Sequence, residues 1–307
     1  MVIVSGSDTN FVPGLLILIY SAWLHNPHAQ FYVIDAGISP EGRDRLEAFC
    51  HRHGIRFGLL QADHDLLARL PKPVHWPRSV YARLMIPDLL PDHDRAIYID
   101  SDALVAADLS DLWSLDLAGN LAAGSLDWMM SPKLLAEIGV GRDEYINTGV
   151  ILMDLARWRV ERISEQAIKL LLDRPTLDFP DQTAINLAAK GRITLLGREY
   201  NFLAREFTNF GRVMPRIIHY AGPDKPWWNR RAPLADVYGA YREASGADIP
   251  EPPRGWEFKT FRRTVLGLLA LRPKYWRRLS YGRHYQARFV EPHVRALRKL
   301  AASRARS

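Results

Sequence analysis

Short apolar strands alternating with helical runs constrain this chain more than any other feature of its sequence. Met1-Val-Ile-Val4 is a buried-strand pattern. It runs into Ser5-Gly-Ser-Asp-Thr-Asn10, rich in turn and cap residues, and then into the mostly apolar run 11–24. A second strand is expected over Phe31–Asp35, an amphipathic helix over Pro40–His53 and a third strand over Ile55–Leu60. A short helix is expected over Arg78–Ile86, stopping before Pro87, because proline disfavours helical backbone at the preceding residue. Further strands are expected at Arg95–Ile99, Gly149–Met153 and Arg216–His219, with a helix across Gln182–Ala189. The fold class is α/β, with a mostly parallel central sheet flanked by helices.

The run 11–24 contains Pro13 and Gly14, is too short to span a bilayer, and is read as a buried helix. The first Lys or Arg is Arg43, so the positive start of a secretory signal is missing and a cytoplasmic location is expected. The single cysteine, Cys50, excludes an internal disulfide framework and reads as an apolar filler. The net charge of +7 is unevenly placed. Residues 254–307 hold 15 Lys/Arg against 2 Asp/Glu, while residues 1–253 hold 26 against 32. A mildly acidic body over 1–253 is therefore expected to carry a basic tail over 254–307.

The central chemical signal is Tyr98-Ile-Asp-Ser-Asp102, two carboxylates at the carboxyl end of an apolar strand, where open α/β sheets bind ligands. Side chains two apart on an extended strand share a side, so Asp100 and Asp102 can reach one hard cation. The same pattern also describes two acids in a surface turn. Downstream, His219 ends the strand-like Arg216–His219 and offers a third ligand, although a lone histidine there equally fits a satisfied core residue. An imidazole favours Mn²⁺ over Mg²⁺, with Mg²⁺ still an option. Gly222 lets backbone approach a phosphate, and Lys225 offers a mobile point charge for a diphosphate.

Several blocks in one order resemble glycosyltransferase family 8, which includes bacterial lipopolysaccharide galactosyl- and glucosyltransferases and glycogenin. They are Ile3-Val-Ser-Gly-Ser-Asp8 with Asn10, Asp35-Ala-Gly-Ile-Ser39, Tyr81-Ala-Arg-Leu84 and Tyr98-Ile-Asp-Ser-Asp102. Asn147-Thr-Gly-Val150, Asp181-Gln182 and the stretch from His219 to Trp227 follow. The resemblance covers roughly residues 1 to 230. It implies a GT-A fold, a UDP-sugar donor, a Mn²⁺ cofactor and retention of anomeric configuration.

The resemblance also assigns roles. Asp8 and Asn10 correspond to uridine-binding residues, with Gly6 in the same block. Phe11 stands where the family commonly has a stacking Tyr, keeping the π-face and losing the hydroxyl. Arg83 corresponds to an arginine on donor phosphate and sugar. Asp100 and Ser101, Asn147 and Thr148, and Gly222 and Lys225 complete the expected donor site. Asp127, Asp181 and Gln182 are expected around the reacting sugar, and Asp100, Asp102 and His219 around the metal. One departure stands out: relatives often carry a second acid after Gln182, and here Thr183 follows. The stretch Leu70–Pro77, with three prolines, fits a lid over the donor but reads more simply as a connecting loop.

In the tail, Phe258, Phe261, Val265, Leu268 and Leu269 recur at helical spacing, with Lys259, Arg262 and Arg263 off that stripe. Tyr275-Trp-Arg-Arg278 and a basic helical end over Val294–Leu300 follow. Such a segment suits the surface of an anionic membrane. A peripheral enzyme would suit a glycan acceptor that is lipid-linked, such as a lipopolysaccharide core. Nucleic acid is not expected as a partner, since the body is net acidic and carries no recognition motif. Two alternatives compete: a sugar-1-phosphate nucleotidyltransferase, which would normally show a cation-bearing Gly-rich loop after the first strand, and a catalytically inactive UDP-binding protein of the membrane surface.

Overall fold

The computed structural model describes residues 1–73, 76–206, 213–252 and 286–304. Its strands are β1 (Val2–Ser7), β2 (Gln30–Asp35), β3 (Phe57–Gln61), β4 (Arg95–Ile99), β5 (Ala103–Val105), β6 (Ala122–Leu126), β7 (Ile146–Asp154), β8 (Ile193–Leu196), β9 (Phe202–Leu203) and β10 (Ile217–His219). Seven form one sheet in the order β3-β2-β1-β4-β7-β6-β8, and the others a small sheet ordered β5-β10-β9. Within the large sheet only β7 runs against its neighbours, β4 and β6. The sheet is thus mostly parallel, as the alternating pattern predicts, with apolar clusters on both faces.

β1 runs three residues beyond the apolar stretch. Ser5, Gly6 and Ser7 continue the ladder to Val33, Ile34 and Asp35 of β2. Their small side chains suit the space: a methyl group on Gly6 would stand 2.8 Å from Ala82 Cβ. The expected loop therefore shrinks to Asp8–Phe11, where Asp8 Oδ1 accepts from the Asn10 amide at 2.9 Å. The segment Arg78–Met85 is a 3₁₀ helix and leads directly into a helical turn over Ile86–Leu89. The helix does not end before Pro87 as expected. Proline falls in the first turn of the new helix, where its missing N–H costs nothing.

The apolar run is the helix Val12–His25, in which every residue but Pro13, Trp23 and His25 is buried. It packs against the small sheet and the helix Ala235–Ser245. Two buried polar side chains, Ser21 within it and Asn26 just past its end, are anchors. Ser21 Oγ accepts from the Val105 amide at 3.1 Å, and Asn26 Oδ1 from the Leu109 amide at 2.8 Å. Cys50 is buried as expected, and burial pushes its thiol up to about 12.

The apolar stripe of the tail, Phe258 to Leu269, and the Tyr275–Arg278 cluster lie outside the described residues. The basic end is the helix Glu291–Arg304. It docks on the helices Ala235–Ser245 and Val12–His25, with Leu297 at 1% exposure and Phe289 and Val290 buried beside it. The Tyr241 hydroxyl joins His25 Nε2 at 2.7 Å to His293 Nε2 at 2.8 Å. Burial lowers both imidazoles to about 4. Among the described residues no helix is long and apolar enough to cross a membrane.

Candidate active site

The carboxyl ends of β1, β4 and β6, together with β7, the segment Arg78–Met85 and the helix Pro180–Ala188, surround a cavity of about 680 Å³. That volume suits a small-molecule ligand of nucleotide-sugar size. At its floor Asp100, Asp102 and His219 bring one ligand atom each within 4.8 Å of one another. The alternation of an extended strand is not what aligns the two acids. β4 ends at Ile99, and the chain turns with the Ala103 amide donating to Asp100 O at 2.9 Å. The turn feeds β5, whose antiparallel register sets Ala103 opposite His219 of β10. This pairing carries the histidine to the acids across more than a hundred residues of sequence.

The donor set fits a divalent cation. His219 Nε2 lies 3.2 Å from Asp102 Oδ1 and 3.8 Å from Asp100 Oδ2. On the other side of the ring, Nδ1 lies 2.8 Å from Asn201 Oδ1. The Asn201 amide nitrogen donates to Asn147 Oδ1 at 2.9 Å, which fixes its oxygen toward the histidine. Nδ1 then carries the proton and Nε2 keeps its lone pair for the cation, the usual outer support of a metal-binding histidine. Gly149 is dictated by the same packing: a methyl group there would overlap the His219 ring and stand 2.7 Å from Asp100 Oδ2.

Two buried cations hold the acids. Arg83 Nη2 donates to Asp100 Oδ1 at 2.6 Å, Nη1 to the carbonyl and hydroxyl of Thr148 at 2.8 Å each, and Nε sits 3.2 Å from Asp181 Oδ2. Lys225 pairs with Asp102 and donates to Tyr220 O at 2.9 Å. Burial alone would raise the Asp102 carboxyl, but the Lys225 ammonium beside it outweighs this and holds it well below the usual range. At Asp181 burial prevails over the neighbouring Arg83 and raises the carboxyl.

Opposite this cluster, Asp127 Oδ2 accepts from Asn147 Nδ2 at 3.1 Å and Gln182 Nε2 at 3.0 Å, and Oδ1 from the Met129 amide at 2.9 Å. Gln182 Oε1 in turn accepts from the Thr148 amide at 3.3 Å. Asp127, Asn147 and Gln182 are thus one hydrogen-bonded unit, and Asp181 borders the same cavity.

Most of the residues singled out in the sequence line this cavity, including Gly6, Phe11, Ser101 and Gly222. Three do not. Asp8 and Asn10 sit beside it, with Asp8 Oδ2 accepting from the wall residue Ser79 at 3.1 Å. Thr148 is fully buried and faces Arg83 instead. Thr183 also turns away from the cavity: its hydroxyl donates to Asp178 O at 2.7 Å and lies 2.8 Å from the Tyr145 hydroxyl. That network secures Phe179, whose φ of +49° is left-handed for a non-glycine residue at a cavity wall.

Sequence reading missed Arg205, Trp228, Phe179 and Trp76 on the walls and Asn201 behind His219. The connecting loop Leu70–Pro77 proves to be part of a wall, its Trp76 ring 5.1 Å from Phe179. A run of prolines with one tryptophan is the signal that marks it. Nothing local marks Arg205 or Asn201.

A family model described as Glycosyl transferase family 8 matches residues 2–230. General stress protein A of Bacillus subtilis is 31% identical over 264 residues, covering 78% of this chain and 92% of that protein. Lipopolysaccharide 1,2-glucosyltransferase of Escherichia coli K12 is 28% identical, covering 72% of this chain and 71% of the relative. The crystal structure of the galactosyltransferase LgtC in complex with donor and acceptor sugar analogs superposes with a TM-score of 0.70 at 28% identity. It covers 84% of this chain and all of LgtC.

Proposed function

The chain belongs to glycosyltransferase family 8, and from that membership we propose that it moves a hexose, galactose or glucose, from a UDP-sugar to a glycan acceptor with retention of configuration. The observation that carries this reading is the cavity itself. A hard-cation donor set lies at one end and a hydrogen-bonded carboxylate and amide unit at the other.

Asp100, Asp102 and His219 would hold Mn²⁺, the imidazole favouring it over Mg²⁺. When bound there, the ion supplies Lewis-acid stabilisation to a diphosphate leaving group. The protein's own residues do the rest. Phe11 offers a ring face for uracil, and Asp8 and Asn10 flank that end. Gly6, Ser101, Gly222 and Lys225 line the diphosphate path. Arg83, locked by Thr148, Asp100 and Asp181, fixes the acids that meet the donor sugar. Asn147, Asp127, Asp181 and Gln182 contact the sugar hydroxyls.

Double displacement needs a carboxylate free to attack the anomeric carbon. Asp100 and Asp102 are committed to the cation, Asp181 to Arg83, and Asp127 accepts from two side-chain amides. Gln182 is an amide and a poor nucleophile. Front-face attack by the acceptor hydroxyl, assisted by the leaving phosphate, therefore fits this site better. A covalent glycosyl adduct trapped on Asp181 or Asp127 would overturn it.

The acceptor reading is a lipid-linked glycan such as a lipopolysaccharide core, with the enzyme held on the inner face of an anionic membrane by the basic residues after 253. The relative that transfers glucose to lipopolysaccharide and the excess of Lys and Arg in that segment support it. No observation favours a nucleotidyltransferase or an inactive surface protein: the loop after β1 carries no cation, and the metal-type cluster is complete.

The test is UDP release by purified protein with Mn²⁺ and a panel of UDP-sugars. Slow hydrolysis of one donor is expected, abolished by EDTA and by Asp102→Ala. Absence of metal-dependent UDP binding would refute the site assignment.

A further inference from the structure

Seven formally charged side chains line the cavity among the described residues. Asp100, Asp102, Asp127 and Asp181 are carboxylates, and Arg83, Lys225 and Arg205 are cations. Arg83 is spent on Asp100, Asp181 and Thr148, and Lys225 on Asp102 and the Tyr220 carbonyl. Both are buried. Arg205 differs in each respect. It is exposed, and it makes no ion pair with any described residue. Its Nη1 lies 3.1 Å from where a Cβ on Gly222 would stand, so the guanidinium covers the backbone of the loop between His219 and Lys225. Gly222 holds a φ of +96°, a conformation that suits glycine and leaves that backbone open to the arginine.

Charge balance then singles out Arg205. A divalent cation at Asp100, Asp102 and His219 would bring the lining without Arg205 to neutrality. Breaking the bond from the anomeric carbon to the β-phosphate oxygen leaves the electron pair on that oxygen. As the acceptor oxygen bonds to the carbon, the acceptor proton departs through a phosphate oxygen to solvent. The nucleoside diphosphate thus leaves with more negative charge on its terminal phosphate than the donor carried. Stabilising that charge draws on Lys225 and on any further cation beside the same phosphate, and among the described lining residues Arg205 is such a cation with no acid partner.

We propose that Arg205 is a diphosphate-binding residue of this site, reaching over Gly222 to the terminal phosphate of the departing nucleotide. The proposal rests on the UDP-sugar reading above. Five donors in a planar fork match a phosphate edge, and the exposed position lets the side chain swing in and out with the nucleotide.

Calorimetric binding of UDP, the UDP-hexose that is turned over, and uridine, all with Mn²⁺, tests it in the wild type, Arg205→Ala and Arg205→Lys. Arg205→Ala is expected to weaken UDP about tenfold, the scale of one charge-assisted hydrogen bond. The UDP-hexose should lose less and uridine nothing, and Arg205→Lys should recover part of the loss, the share due to charge alone. Unchanged UDP affinity in Arg205→Ala overturns the proposal, including the case in which only the KM for acceptor rises. Equal losses for UDP and uridine overturn it as well, because they report a disturbed pocket rather than a phosphate contact. A wild type that fails to bind UDP brings down the donor reading first, and is distinguishable because all three proteins then behave alike.

Discussion

Histidine meets polar partners in two regions of this molecule, buried in one and half-buried in the other, and the two settings are opposite in kind. At the cavity floor His219 faces Asp100 and Asp102 with one nitrogen and Asn201 with the other. Where the C-terminal helix docks, His25 and His293 share the Tyr241 hydroxyl, and Asp108 offsets the desolvation of His25 only in part. The first setting assembles formal charge inside the protein and leaves a lone pair aimed at a cation. The second excludes charge, and desolvation drives both imidazoles down to about 4. Buried polar clusters thus separate into those built to receive an ion and those built to hold two elements together.

The largest expected effect breaks the ion-receiving cluster. Asp102→Ala removes a proposed cation ligand and leaves Lys225 buried without its partner. Turnover should fall by roughly three orders of magnitude or more, the scale of losing one key electrostatic stabiliser. The unpaired lysine should also cost on the order of 3–5 kcal/mol of stability. Steady-state UDP release and denaturant unfolding read the two effects separately.

Leu297→Ala sharpens the contrast from the other side. Leu297 is 1% exposed under the docked helix, so its truncation should cost about 2–5 kcal/mol in denaturant unfolding. Metal-dependent UDP binding should stay within about twofold of wild type, since no cavity residue is touched. A matching collapse of binding would show that the two regions are not independent.

A smaller effect is expected from Asn201→Ala, which leaves every proposed ligand in place but removes the acceptor on His219 Nδ1. Metal affinity should drop about 10–100-fold, the usual cost of losing such outer support. Titration with Mn²⁺ monitored by the restored UDP binding measures it.

The gentlest test is pH. The folded-state values of His25 and His293 lie below the ordinary 6.5, so the unfolded chain takes up protons first as pH falls. Stability from this cluster is therefore complete above about 6.5 and lost as pH falls toward 4. The melting temperature of the wild type should drop more steeply over that window than that of His25→Gln/His293→Gln. Parallel curves would dismiss the histidines as the cause.

Much of the cavity was legible because its residues sit at strand ends and in local blocks. Asp100 and Asp102 stand at the end of an apolar strand, and position along the chain is enough to flag them, whereas Asp127, Asn147 and Asp181-Gln182 are flagged only by the blocks that resemble the family. The role of Thr183 was not legible. An acid is missing there in sequence, but only packing shows that the hydroxyl points to Tyr145 and Asp178, away from the sugar end. Asn201 and Arg205 lie in ordinary loop sequence, and their meaning comes from His219 and Gly222, which are neighbours only in space. The tail shows the limit of composition: its charge is read directly, yet Leu297, Val290 and Phe289 join the main core.

The sequence by itself determined the alternating order of strands and helices, the acids at the end of β4 and the family to which the blocks belong. Apolar periodicity and strand-end position are local properties that a linear chain displays. Tertiary structure alone decided that His219 meets Asp100 and Asp102. The β5–β10 register does this, while the turn after β4 sets the angle of the acids. It also decided which cations pair with the protein's own acids and that, among the described residues lining the cavity, Arg205 pairs with none. Charge neutralisation acts through space over a few ångströms, and no spacing along the chain encodes it.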